Sequence, residues 1–172
     1  ITLIKQINDK IHNIELRNFS LDQLWFRILS QKLSTMTHNY KNETDIIDIG
    51  ANIGYNTLMF SDYGPVHTFE PVYYDLVDAN IKSNNLKHNV FLYAHALSNV
   101  SVETTIYIPK NGCQSKNKIN YGGTSLNKHS DTLGNIPINV KCEVFDDVYK
   151  GKPSIMKIDV EGHEMEVLEG AK

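Results

Sequence analysis

The segment Asp48-Ile-Gly50-Ala-Asn-Ile-Gly54 carries the residue types needed to hold a small charged ligand. Gly50 permits a sharp turn without a Cβ clash, and Gly54 lets a following helix pack close, so the backbone can approach a ligand. Glu70 follows Gly50 by about 20 residues, the spacing at which a carboxylate can accept hydrogen bonds from the hydroxyls of a ribose. A dinucleotide fingerprint has glycine where this segment has Asp48, and it seats a pyrophosphate on the helix that follows. A carboxylate pointing into such a turn repels a pyrophosphate and attracts an ammonium group, such as that at the methionine end of S-adenosylmethionine. The charge pattern therefore favours S-adenosylmethionine over NAD. An unliganded strand-to-helix turn is the plainer alternative.

A second cluster is Lys157-Ile-Asp159-Val-Glu161-Gly162-His163-Glu164. Three acids and an imidazole so close together can hold a substrate or move a proton. Asp159 is expected at the carboxyl end of a strand, the edge of an open α/β sheet where ligands bind. His163 has the titration range of a general base, with Asp159 and Glu161 as rivals. A solvated strand-to-helix loop is the competing reading. The acids come with no metal-ligand spacing, so no metal is expected. Among the other histidines, His67 reads as packing or surface, and His12, His38 and His88 as surface or loop residues. His129 could reach the site if its loop folds over it.

The elements around these residues follow from periodicity. Ile4, Ile7, Ile11 and Ile14 recur at steps of three and four, which predicts a helix. Leu21, Leu24, Trp25, Ile28 and Leu33 predict a second helix, with Ser20 as its cap. Together they make residues 1–40 an N-terminal helical segment, ahead of a main domain at 41–172. In that domain, strands are expected at 45–49, 66–69, 89–94 and 154–158, with helices beginning near Asn56, Tyr73 and Glu164. Alternating strands and helices are the signature of a parallel sheet with crossover helices. Pro71 cannot continue a ladder and closes the second strand. Val102–Ile108 and Ile138–Phe145 read as an antiparallel β insertion around a long polar loop, 109–135. Loops of that length are usually functional or disordered, and this one is expected to be a mobile lid or acceptor-binding loop.

Composition narrows the class. The chain has 172 residues and a net charge of −3, from 17 basic and 20 acidic residues. That balance provides no general attraction to nucleic acid, whose binders carry basic patches. No apolar run approaches the roughly 18 residues of a membrane span. Cys113 and Cys142 form no CxxC pair, so a disulfide scaffold is not expected and a reducing, cytoplasmic setting is preferred. The chain begins at Ile1 and ends at Lys172 as a helix gets under way, so it reads as cut at both ends.

Taken together, Asp48–Gly54, Phe69-Glu70-Pro71, His95-Ala-Leu-Ser98 and Lys157–Gly162 resemble the FkbM family of S-adenosylmethionine-dependent methyltransferases. Weaker elements are Gly122-Gly-Thr-Ser-Leu126 and Val144-Phe-Asp-Asp-Val148. The resemblance covers residues 45–171. It implies a Rossmann-like (class I) α/β sheet whose C-terminal strands are missing from this chain. It also implies O-methylation of a sugar or small-molecule hydroxyl with S-adenosylmethionine as cofactor. Asp48, Gly50, Asn52 and Gly54 would line the methionine and ribose end, with Ala51, Asn56, Thr57 and Pro71 beside them. Glu70 would hold the ribose, and His95 and Ala96 would lie near the adenine. Asp159, Glu161 and His163 would face the reacting end. The partner implied is a small-molecule or saccharide acceptor, with no nucleic acid and no membrane span; an oligomer stays open. A shortened fold without turnover, acting as a nucleoside-binding or interaction module, is the alternative function.

Overall fold

The computed structural model describes residues 2–7, 10–17, 44–110, 121–127 and 135–172. In chain order the elements are β1 (Thr2–Ile7), β2 (Lys10–Glu15), β3 (Ile46–Ile49), α1 (Tyr55–Phe60), β4 (Val66–Phe69), α2 (Tyr74–Lys82) and β5 (Val90–Tyr93). They continue with β6 (Ala96–Ser98), β7 (Val102–Pro109), a 3-10 turn at Tyr121–Gly123, β8 (Asn135–Val144), α3 (Phe145–Val148), β9 (Ile155–Ile158) and α4 (Glu164–Glu169).

The expected parallel α/β sheet is present, as four strands in the order β5-β4-β3-β9. Its centre is β3, where Ile46 stands beside Val66 and Ile155, and Ile49 beside Phe69 and Ile158. Every residue of β3 is buried, as both faces of a parallel sheet are covered. Side chains alternate across it. Ile46 joins Leu58, Met59 and Val66 on one face, while Ile47 and Ile49 join Phe69, Phe145 and Val167 on the other. The chain leaves β3 toward β4 and β5 on one side and returns as β9 on the other. Strand order thus reverses between β3 and β9, and the crevice for a ligand opens at the carboxyl ends of strands at such a point.

The β insertion is also as expected. β7 pairs antiparallel with β8 from Val102–Cys142 to Pro109–Asn135. β6, which the sequence pattern does not announce, adds to β8 in parallel through Ala96 and Cys142.

The N-terminal reading needs correction. Residues 2–7 and 10–15 pair as antiparallel strands, β1 with β2, and not as a helix. The isoleucine spacing fits one face of a helix, but β-branched residues also favour strands. In β2 and just beyond, His12, Ile14 and Leu16 are buried while Asn13 and Glu15 are exposed, which is the period of a strand. His12, read as a surface residue, is 2% exposed. Ile14 and Leu16 share a core cluster with Ile46 and Leu58, so the hairpin is built into the main domain. The second predicted helix, with Ser20 to Leu33, lies outside the described residues, as do His38, Cys113 and His129. Among the described residues, no helix is long and apolar enough to cross a membrane.

Candidate active site

Gly50 terminates β3 with φ +76°, a conformation that L side chains rarely adopt. Its N–H donates to the Phe69 carbonyl at 3.0 Å. A Cβ on Gly50 would meet the Asp159 carbonyl oxygen at 2.0 Å, so glycine here lets the ends of β3 and β9 touch. The next residues continue the tight path, with Asn52 at φ 58° and Gly54 at φ 80°.

Asp48 lies beneath this turn. Alternation along β3 points it to the Ile46 face, where it is 0% exposed. One oxygen accepts from the Thr57 hydroxyl at 2.7 Å, and the other stands 3.1 Å from the Lys157 ammonium. Lys157 also donates to the Gly50 carbonyl at 2.7 Å, so one cation ties β9 to both the buried carboxylate and the turn. This corrects the expectation that Asp48 points into the turn toward a ligand's ammonium: its charge is already matched from within.

A cleft opens above the turn. Gly50 and Asn52 form part of its wall, and Glu70, Pro71, Val72 and Tyr73 continue it after β4. His95 and Ala96 line it next, and the segment from Tyr121 to Leu126 forms another side. Asp159, Glu161 and His163 close it from β9. Of the residues expected to hold a cofactor, Asp48, Ala51, Gly54, Asn56 and Thr57 are not on this wall. They are buried around and under the turn, with Gly54 set close to Val77 of α2.

Glu70 is 4% exposed. One carboxylate oxygen accepts from the Asn52 N–H at 2.7 Å, and the other from the N–H groups of Val72 and Tyr73 at 2.9 and 3.0 Å. Burial raises its pKa above the usual carboxylate range, against the lowering effect of these backbone donors and Lys157. A carboxylate has about four lone-pair sites, so three backbone donors leave room for one further strong hydrogen bond. Nearby, His95 Nδ1 is a buried atom with no hydrogen-bond partner among the described residues.

The acidic side of the cleft is uneven. Asp159 is exposed, with a carboxylate oxygen 3.8 Å from Lys157 Nζ. Glu161 is exposed and sits at φ 54°, an uncommon conformation for a residue with a long side chain. Glu164 folds back on this loop and accepts from the N–H groups of Val160 and Gly162; its own backbone N–H, with these two, holds its pKa down against burial. His163 Nε2 lies 2.9 Å from the Ser98 hydroxyl, and Nδ1 faces a Glu166 carboxylate oxygen at 3.5 Å. Nε2 is thus hydrogen-bonded, while Nδ1 has only the longer contact with Glu166. Among the described residues no group of His, Cys, Asp and Glu is arranged to hold a metal ion.

Residues 48–172 match the Methyltransferase FkbM domain family. The chain belongs to that family. A crystal structure of a methyltransferase FkbM from Methylobacillus flagellatus KT is similar over 91% of this chain, with 14% identity and a TM-score of 0.48. The chain spans 41% of the length of that protein. No curated protein matches it.

Within this FkbM-family domain, several residues have partners that their place in the sequence does not show. Lys157 was part of a motif, but its partner Asp48 lies far away in the chain. Tyr73 is held by its hydroxyl at 2.7 Å from that of Thr124, so the cleft wall after β4 is bonded to the 121–126 segment. Ser125 bonds the Glu161 carbonyl at 2.8 Å, and its backbone pairs with Tyr107 of β7. The Gly-Thr-Ser block reads as a loop in the sequence. It is the strut between the β insertion and the loop after β9.

Proposed function

We propose that the cleft binds S-adenosylmethionine and that the chain transfers its methyl group to a hydroxyl of a sugar or small molecule. The observation that carries this reading is Glu70, a buried carboxylate on the cleft wall with one acceptor site left, beside the Gly50 turn. The residues fit the nucleoside. Glu70 offers an acceptor for a ribose hydroxyl, and His95 Nδ1 beside Ala96, without a hydrogen-bond partner among the described residues, offers a polar contact for the base. When bound, the cofactor supplies a methyl group already activated on a sulfonium.

The chain's work is then positioning and proton removal. Fixing reactants in line can contribute ~7–11 kcal/mol. Asp159 is the group we assign to accept the hydroxyl proton at its carboxylate, because it is exposed on the cleft at the end of β9. Glu161 stands beside it to hold the acceptor. His163, hydrogen-bonded to Ser98 through Nε2, orients the loop that carries Glu161. A reducing, cytoplasmic setting belongs to the same reading.

Calorimetry with S-adenosylmethionine, S-adenosylhomocysteine and NAD tests the reading. Glu70→Ala should weaken binding by roughly 10- to 100-fold, the scale of a hydrogen bond to a charged group. Binding of NAD with no binding of either adenosyl compound would overturn it. Lys157 Nζ, 3.8 Å from the Asp159 carboxylate that would take the proton, favours a second reading, a nucleoside-binding module without turnover. Cofactor binding with no methyl transfer to any hydroxyl compound would support that one.

A further inference from the structure

We propose that Arg17, which follows the N-terminal hairpin and lies outside the family-matched residues, is a positioning residue for the cleft. The inference rests on the cofactor reading for its role but on independent contacts for its geometry. Arg17 does not line the cleft, yet three residues that do are in contact with it. Its Nη2 donates to the Asn52 side-chain oxygen at 2.6 Å. Its guanidinium carbon lies 4.3 Å from the centre of the Tyr73 ring and 4.8 Å from that of Tyr121. The two rings are inclined at 77° to each other, so the guanidinium fills the corner between them. A cation within about 6 Å of an aromatic face is attracted by its quadrupole. A planar guanidinium can stack and donate in its plane at once, which an ammonium cannot.

The hairpin that delivers Arg17 is itself anchored. Asn80 of α2 is 0% exposed. It donates to the carbonyls of Ile53 and Glu15 at 2.8 and 3.2 Å, and accepts from the Glu15 N–H. Asn84 accepts from the Asn13 N–H and donates to its carbonyl, both at 2.8 Å. Arg17 thus joins three parts of the chain that are distant in sequence: the turn at Asn52, the start of α2 at Tyr73, and the Tyr121 segment. Through Tyr121 it holds one side of the cleft against the other two.

Two measurements test this. In the first, the affinity for S-adenosylhomocysteine should fall about 10-fold or more in Arg17→Ala, and Arg17→Lys should not restore it. Combined with Tyr121→Ala, the loss should be less than the product of the two single losses, because both act through one contact. Full rescue by lysine, or losses that multiply independently, would overturn the proposal. In the second, amide hydrogen exchange is followed without any ligand. Arg17→Ala should speed exchange at Thr124 and Ser125 about 10-fold or more, while the Tyr149 amide, bonded to the Phe145 carbonyl at the end of α3 on the other face of the sheet, keeps its wild-type rate. Unchanged exchange at Thr124 and Ser125, or equal acceleration at Tyr149, would overturn it. Failure of the wild-type protein to bind S-adenosylhomocysteine would instead count against the function, because the ligand-free exchange still decides the role of Arg17.

Discussion

Lys157→Met is the substitution whose cost the structure specifies best. Asp48 has no exposed surface, and the Lys157 ammonium stands 3.1 Å from one of its oxygens. Removing one partner of a buried ion pair costs about 3–5 kcal/mol, because the remaining charge is left without compensation. Asp48 keeps the Thr57 hydroxyl at 2.7 Å, and the Lys157 side chain is 17% exposed, so the lower end applies. A loss of about 3 kcal/mol lowers Tm by roughly 6–12 °C in a chain of this size. The double variant Asp48→Asn with Lys157→Met removes both charges and keeps the Thr57 bond. It should recover most of the stability. Urea unfolding of the four proteins in this cycle gives the coupling directly. A Lys157→Met loss below about 1 kcal/mol, or a double variant no more stable than Lys157→Met, would refute the view that this pair secures the turn.

Other perturbations bear on the site and the fold. Glu70 must be ionised to leave an acceptor for a ribose hydroxyl, and burial raises its pKa. Titration calorimetry should therefore show S-adenosylhomocysteine affinity falling on acidification at a pH above the usual glutamate range, with Glu70→Gln weak and flat. The folded pKa of His67 is lowered, chiefly by burial against the opposing pull of Asp45, so the unfolded chain takes up a proton first. Stability should be lost as pH falls below about 6.5 and through the lowered value, and His67→Gln should reduce that slope in thermal melts. At the reacting end, Asp159→Asn should lower kcat by about 10²–10⁴ with little change in cofactor affinity, the scale of a positioned base. His163→Ala should cost much less, and the reverse order in a methyl-transfer assay would make His163 the base.

The parts of the architecture legible in the sequence are those set by local chemistry. The run Ile46 to Ile49 before Gly50, and Val66 to Phe69 before Glu70, mark buried strands that stop at turn residues, and both were found. The hairpin was not legible, because Ile4, Ile7, Ile11 and Ile14 are spaced as on a helical face, although their β-branched side chains also suit strands. The alternation of His12, Ile14 and Leu16, with Asn8 and Asp9 as turn-favouring types between the runs, was the better signal. Within the site, Gly50 and Glu70 could be read from type and spacing, since a turn and a carboxylate make local demands. The ion pair of Asp48 could not, because its partner Lys157 is brought alongside only when β9 joins β3. The same holds for Arg17, whose partners Asn52, Tyr73 and Tyr121 come from three separate stretches of chain. No periodicity in residues 10–17 encodes where a guanidinium will land.

A crystal structure of the chain with S-adenosylhomocysteine tests the central claim most directly. The account predicts a ribose hydroxyl within about 2.5–3.0 Å of a Glu70 carboxylate oxygen, a hydrogen-bonding distance, with the adenine against His95 and Ala96. A ligand bound elsewhere, or in this cleft with its ribose turned away from Glu70, would contradict it.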